Sequence, residues 1–166
     1  MSTNDQPCLY PTRIEMPVDI RGYVIALLNQ TLADTVDLRS QVKQARWNVK
    51  GSAYVPLQAL FATMATELDA YADLVADRIT ALGGVARGTV RLAGLQSTLP
   101  EYPDDLALGE AHVLALAERF AHYATVVRAN ITYAADVEDA HTAHLYTDIS
   151  RVIEQRLGGL DAHLHC

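Results

Sequence analysis

Apolar residues return every three or four positions through most of the chain, and no stretch shows the strict alternation of a strand. Val24, Leu28, Leu32, Val36 and Val42 mark one stripe of a segment running from about Val18 to Trp47. A second segment opens after Gly51 and reaches about Leu82, with Leu57, Leu60, Met64, Leu68, Tyr71, Val75, Ile79 and Leu82 on one stripe. Steps of three and four place side chains on one face of an α-helix, which the fold then buries. Gly83-Gly84 should close that helix, because glycine reaches the left-handed cap conformation without steric cost. A connector follows from Val85 to about Asp105, broken by Pro100 and Pro103, with room for one helical turn around Leu92 to Gln96. The third helix is expected over about Asp105 to Ala135, with Val113, Leu116, Phe120, Val127 and Ile131 inward. The fourth begins near Asp139 and continues to about His163, using Leu145, Ile149, Val152, Leu157, Leu160 and Leu164. The pattern predicts an all-α protein: a tail over residues 1–17, then one domain over 18–166, a four-helix bundle with a long crossover that contains a short helix.

Composition narrows the possibilities. A chain of 166 residues, half of them apolar and a fifth charged, can bury one sizeable core without disulfide staples. The formal charge of -7 argues against a generic electrostatic grip on nucleic acid. No apolar run approaches the roughly 18–20 residues of a membrane span. The opening MSTNDQPCLYPTR lacks the basic-then-apolar order of a signal peptide, so the cytoplasm is the expected compartment. Cys8 and Cys166 read as free thiols; an intersubunit disulfide, or a metal contact from His163-Leu164-His165-Cys166, is the alternative.

Candidate chemistry lies on the second helix. Asp69, Asp73 and Asp77 recur every four residues and share a face. That face is not the core face, since Asp73 sits about 200° around the helix from Tyr71. The ridge is either a solvated helix face or half of a site completed by a second subunit. The stretch QVKQARWNVKG, followed by LFATMATELDAYADLVADRITALGGVARGT, closely resembles the Dps family (DNA protection during starvation). The resemblance extends to LYPTRIEMP near the start, STLPEYP in the connector and DAHTAHLYTDISR opening the fourth helix. It implies a ferritin-like mini-ferritin subunit that assembles into a hollow homododecamer, oxidises ferrous iron with peroxide, stores the ferric product and so relieves oxidative stress.

The resemblance also implies a ferroxidase site shared across a twofold interface. One subunit supplies the histidine before the tryptophan, Trp47 here, then a histidine and an aspartate on the second helix; the other supplies two acids. Carried over, the first histidine is Arg46, the second is Gln58, and the aspartate after it is Ala62. Asp73 and Asp77 remain, the latter shorter than the usual glutamate, as remnants of the catalytic and metal-binding set. Arginine keeps its proton and offers no lone pair to a metal, whereas its planar fork suits a carboxylate. Arg46 is therefore expected to pair with Asp73 or Asp77 of a twofold mate, leaving oxidation slow or at another site. A non-enzymatic shell subunit is the alternative.

Further departures follow from the same comparison. Gly158-Gly159 stand where the family has an aromatic pair, which implies either a vacated volume or a frayed helix end. His141, His144 and Asp148 fall on one face at the start of the fourth helix, in the region that lines a threefold pore in the family. Imidazoles around an axis suit zinc or another borderline metal; the alternative is two exposed helix-start histidines. His112 and His122 show no partner pattern and are expected on the surface. The first 17 residues hold one basic residue, Arg13, against Asp5 and Glu15, and no Lys or Arg follows Leu160. Tails of that kind cannot supply several phosphate contacts, so DNA binding is expected to be weak or absent.

Overall fold

The computed structural model describes residues 9–165, and the two cysteines, Cys8 and Cys166, lie outside them. Five helices follow in order: α1 (Val18–Asn48), α2 (Tyr54–Ala81), α3 (Val90–Gln96), α4 (Gly109–Asp136) and α5 (Ala140–Leu164). The described residues form no β-strand; one isolated bridge joins Lys50 to Leu108. α1 packs along α2, and α4 along α5, as two hairpins. The hairpins meet through α1 against α4 and α2 against α5, which closes a four-helix bundle.

The short connections are set by local chemistry. Gly51 (φ +101°) and Gly83 (φ +83°) take left-handed backbone at the start and end of α2. At Gly83 a Cβ would also lie 2.3 Å from the Tyr10 carbonyl oxygen, because Tyr10 N–H donates to the Gly83 carbonyl at 2.7 Å. This contact, with Thr12 Oγ1 donating to the Ala81 carbonyl at 3.2 Å, docks the described part of the N-terminal segment onto the end of α2. Asp139 caps α5 by accepting from Thr142 N–H at 3.0 Å, and its other oxygen accepts from the Thr142 hydroxyl. Arg78 of α2 reaches the same carboxylate at 2.8 Å, so one buried acid closes a helix end and joins two hairpins.

The crossover, residues 82–108, is stitched to α1 along its length. Asn29 holds Val85 and Arg87, Gln30 holds Gln96, Asp34 holds Thr98, Asp37 holds Ser97, and Gln41 holds Pro100. Lys50 N–H then donates to the Ala107 carbonyl at 2.9 Å. The starts of α2 and α4 therefore lie at the same end of the bundle, and the two helices run parallel. Asp34 is fully buried and accepts from both the amide (2.7 Å) and the hydroxyl (3.1 Å) of Thr98. The hydrogen bonds replace the water its charge has lost.

The core follows the expected stripes except that Ile153, not Val152, faces inward on α5; Leu28, Leu57, Phe61, Met64, Leu68, Leu116 and Phe120 are sealed from solvent. Val36, Leu60, Tyr71, Ile131, Leu145, Leu157 and Leu164 pack against it half-buried. Two hydroxyl pairs cross the centre, Thr31 with Tyr146 at 2.8 Å and Thr35 with Tyr123 at 2.7 Å. Burial pushes both phenols above their ordinary pKa, Tyr146 to about 12.

Three expectations need correction. The third helix begins at Gly109, not near Asp105, because Asp104 to Leu108 are used to reach the Lys50 bridge. α5 runs unbroken through Gly158 and Gly159 to Leu164, so they do not mark a frayed end; a Cβ on either would meet nothing within 4 Å. His112 is not a surface residue: it is 1% exposed and bonded to Tyr102. His122 is exposed, yet its Nε2 lies 3.0 Å from the Thr98 hydroxyl.

Candidate functional site

Arg46 lies in the last turn of α1, where the helix dipole favours a cation. It is half-buried, and its Nε is sealed from solvent with no hydrogen-bond partner among the described residues. No ion pair forms at Arg46 among the described residues. Trp47 beside it is 65% exposed and lines a groove of about 730 Å³ between α1 and the crossover, with Lys43, Gln44, Leu99 and Tyr102. Gln58, in the first turns of α2, donates its amide to the Tyr54 hydroxyl at 2.8 Å. Ala62 follows one turn later, half-buried.

Asp69, Asp73 and Asp77 are exposed along α2, as their spacing requires. They are not equivalent. Asp69 is paired with Arg39 of α1, while Asp73 and Asp77 form no ion pair or side-chain hydrogen bond among the described residues. Arg46, Asp73 and Asp77 are thus among the charged side chains that form no ion pair among the described residues.

At the start of α5, His141 and His144 are exposed, with His144 Nε2 4.0 Å from Asp148 Oδ2. Asp148 is nearer to Arg151, at 3.3 Å. Among the described residues, no three His, Cys, Asp or Glu side chains of one chain converge on a point that could hold a metal ion. The Arg46, Gln58 and Ala62 side chains do not fit a metal centre: one is a fixed cation, one is already bonded to Tyr54, and one has no donor atom.

Residues 25–165 match the ferritin-like domain. The chain is also 34% identical, over 155 residues, to a DNA protection during starvation protein of Agrobacterium fabrum, covering 93% of this chain and 96% of that one. The chain belongs to the Dps family of ferritin-like proteins. DpsC from Streptomyces coelicolor superposes with a TM-score of 0.91 at 25% identity, over 99% of this chain and 96% of its own. DpsA14 from the same organism gives 0.90 at 27%, over 96% and 94%. The all-α ferritin-like fold is thereby settled, and no helix among the described residues is long and apolar enough to cross a membrane.

One cluster escaped the sequence reading. Tyr102 of the crossover and His112 of α4 are joined at 2.7 Å, and the buried Arg119 lies 5.5 Å from the Tyr102 ring centroid. Arg119 also holds Gln41 Oε1 at 2.9 Å and the Glu101 carbonyl at 2.5 Å. The signal was present in the pattern. His112 sits four residues before Leu116 and eight before Phe120, on the buried stripe of α4, where an imidazole needs a partner.

Proposed function

We propose that the chain self-associates into a Dps-type shell that takes up and holds iron, protecting against oxidative damage, without an intact ferroxidase centre at the twofold interface. The observation that carries this reading is the unpartnered Arg46, set against the unpartnered Asp73 and Asp77. In a shell of this type, Arg46 of one subunit meets the two acids of its mate and neutralises them, as a divalent cation would elsewhere in the family. A guanidinium can donate two parallel N–H bonds to a carboxylate. Held this way, the acids are unavailable to ferrous iron, and oxidation is slow or proceeds at other acidic surfaces, the inner wall included.

Stopped-flow ferroxidation tests the reading, with iron per shell counted afterwards. The native protein should oxidise iron slowly, and the Arg46→His/Gln58→His/Ala62→Asp triple variant should gain about tenfold or more, ~1.4 kcal/mol off the barrier. Equal rates would mean that activity never depended on this position. A second reading is favoured by the paired approach of His144 and Asp148 on an exposed helix start. Threefold copies of these residues, with His141, would bind a borderline metal such as zinc. Metal analysis of the purified protein, native against His141→Ala/His144→Ala, checks it; equal zinc content would remove it.

A further inference from the structure

Tyr102 is half-buried at the rim of the groove that Trp47 lines. Its hydroxyl is 2.7 Å from His112 Nδ1, and the two rings are nearly parallel, 13° apart with centroids at 6.1 Å. His112 is 1% exposed, and burial lowers its pKa, with the Leu106 backbone acting in the opposite direction. Burial thus favours the neutral imidazole, and in the tautomer with its proton on Nε2 the phenol donates to Nδ1.

No other described tyrosine has such a partner. Tyr123 meets a threonine hydroxyl and Tyr146 a threonine hydroxyl and the Asn130 amide, all far too weakly basic to take a proton. Tyr54 accepts from the Gln58 amide, and Tyr23 packs on the ring of Tyr133. Only Tyr102 combines an open approach with a base already in hydrogen-bond contact.

We propose that Tyr102 and His112 form a proton-coupled redox site, at which a one-electron oxidant reaching the groove takes an electron from the Tyr102 phenol while its proton passes to His112 Nδ1. The oxidant is a radical or high-valent species formed from peroxide. It is reduced by one electron, the O–H bond of Tyr102 breaks, and an N–H bond forms on His112. The products are a neutral phenoxyl radical and an imidazolium. A ferrous ion or a thiol then returns one electron, and the proton goes back to the phenolate oxygen. The Arg119 guanidinium beside the ring penalises a phenol radical cation, which favours losing proton and electron together. Oxidising equivalents that escape iron chemistry would thus end at one defined, repairable residue. The protective purpose rests on the iron-shell reading, but the chemistry does not.

The test therefore uses no iron. The full chain is mixed with hexachloroiridate(IV), a one-electron oxidant, and freeze-quenched for electron paramagnetic resonance, with oxidised residues mapped by mass spectrometry. The native protein should give a neutral tyrosyl signal that Tyr102→Phe loses and that Tyr10→Phe, at a tyrosine 57% exposed, retains. His112→Gln should form it about tenfold more slowly or worse, and without the solvent deuterium effect of the native protein. Survival of the signal in Tyr102→Phe, or its location on Trp47 or Tyr10, would overturn the proposal. So would an unchanged rate in His112→Gln. Should that variant not fold, the comparison of Tyr102→Phe with Tyr10→Phe decides alone. Failure here would leave iron uptake intact, and loss of iron uptake would leave this result intact.

Discussion

Arg46 carries a fixed charge whose Nε is closed to water and unmatched among the described residues. In the proposed shell a second subunit supplies its acceptor, and Asp73 and Asp77 are acids with no pair among the described residues. If they meet across a subunit interface, Arg46→Ala should weaken subunit association roughly tenfold, about 1–2 kcal/mol, by sedimentation analysis. Adding Asp73→Asn and Asp77→Asn to it should then cost little more, because the pair acts as a unit. Fully additive losses would show that these residues do not touch. At His112 the sign is fixed by burial. Its folded pKa lies below the ordinary 6.5, so neutral imidazole is favoured in the native state. The stability it contributes is complete above about pH 6.5 and is lost as pH falls through the folded value. The melting temperature should drop over that acid range, and His112→Gln should flatten the drop.

Each of the four long helices was legible from its apolar stripe, because burial of one face is what fixes a helix in a bundle. The crossover was legible as a long connection with a short helix, but its course was not, since it is held by polar bonds to α1 that have no periodicity. Asp34 illustrates the limit. On the sequence it is one acid within an apolar segment; in the fold it is the anchor for Thr98. Asp34→Ala should cost about 1–3 kcal/mol and speed amide exchange in residues 96–100 more than in α2. Equal acceleration everywhere would mean that Asp34 serves global stability only. Gly158 and Gly159 make a contrasting case. They lie inside a continuous helix with open space where a Cβ would be, so alanine at either should stabilise α5 by up to about 1 kcal/mol. A drop in melting temperature instead would place a neighbouring subunit against that face.

At the scale of the whole molecule, the frame that carries the family resemblance is intact, while Arg46, Gln58 and Ala62 stand at the positions where that resemblance implies metal ligands. The bundle could be read from its apolar periodicity, and the place of Trp47 from the resemblance. What Arg46 does could not, because its proposed partner lies on another copy. The formal charge of -7 sets a further expectation. Duplex DNA should bind weakly or not at all at physiological salt, and a mobility shift that persists there without magnesium would refute this. The most direct test of the central claim is a crystal of the assembled protein soaked anaerobically in ferrous iron. The Arg46 guanidinium should lie against Asp73 or Asp77 of the adjoining subunit, with no metal between them. A fully occupied iron bridging those carboxylates, with Arg46 turned away, would contradict it.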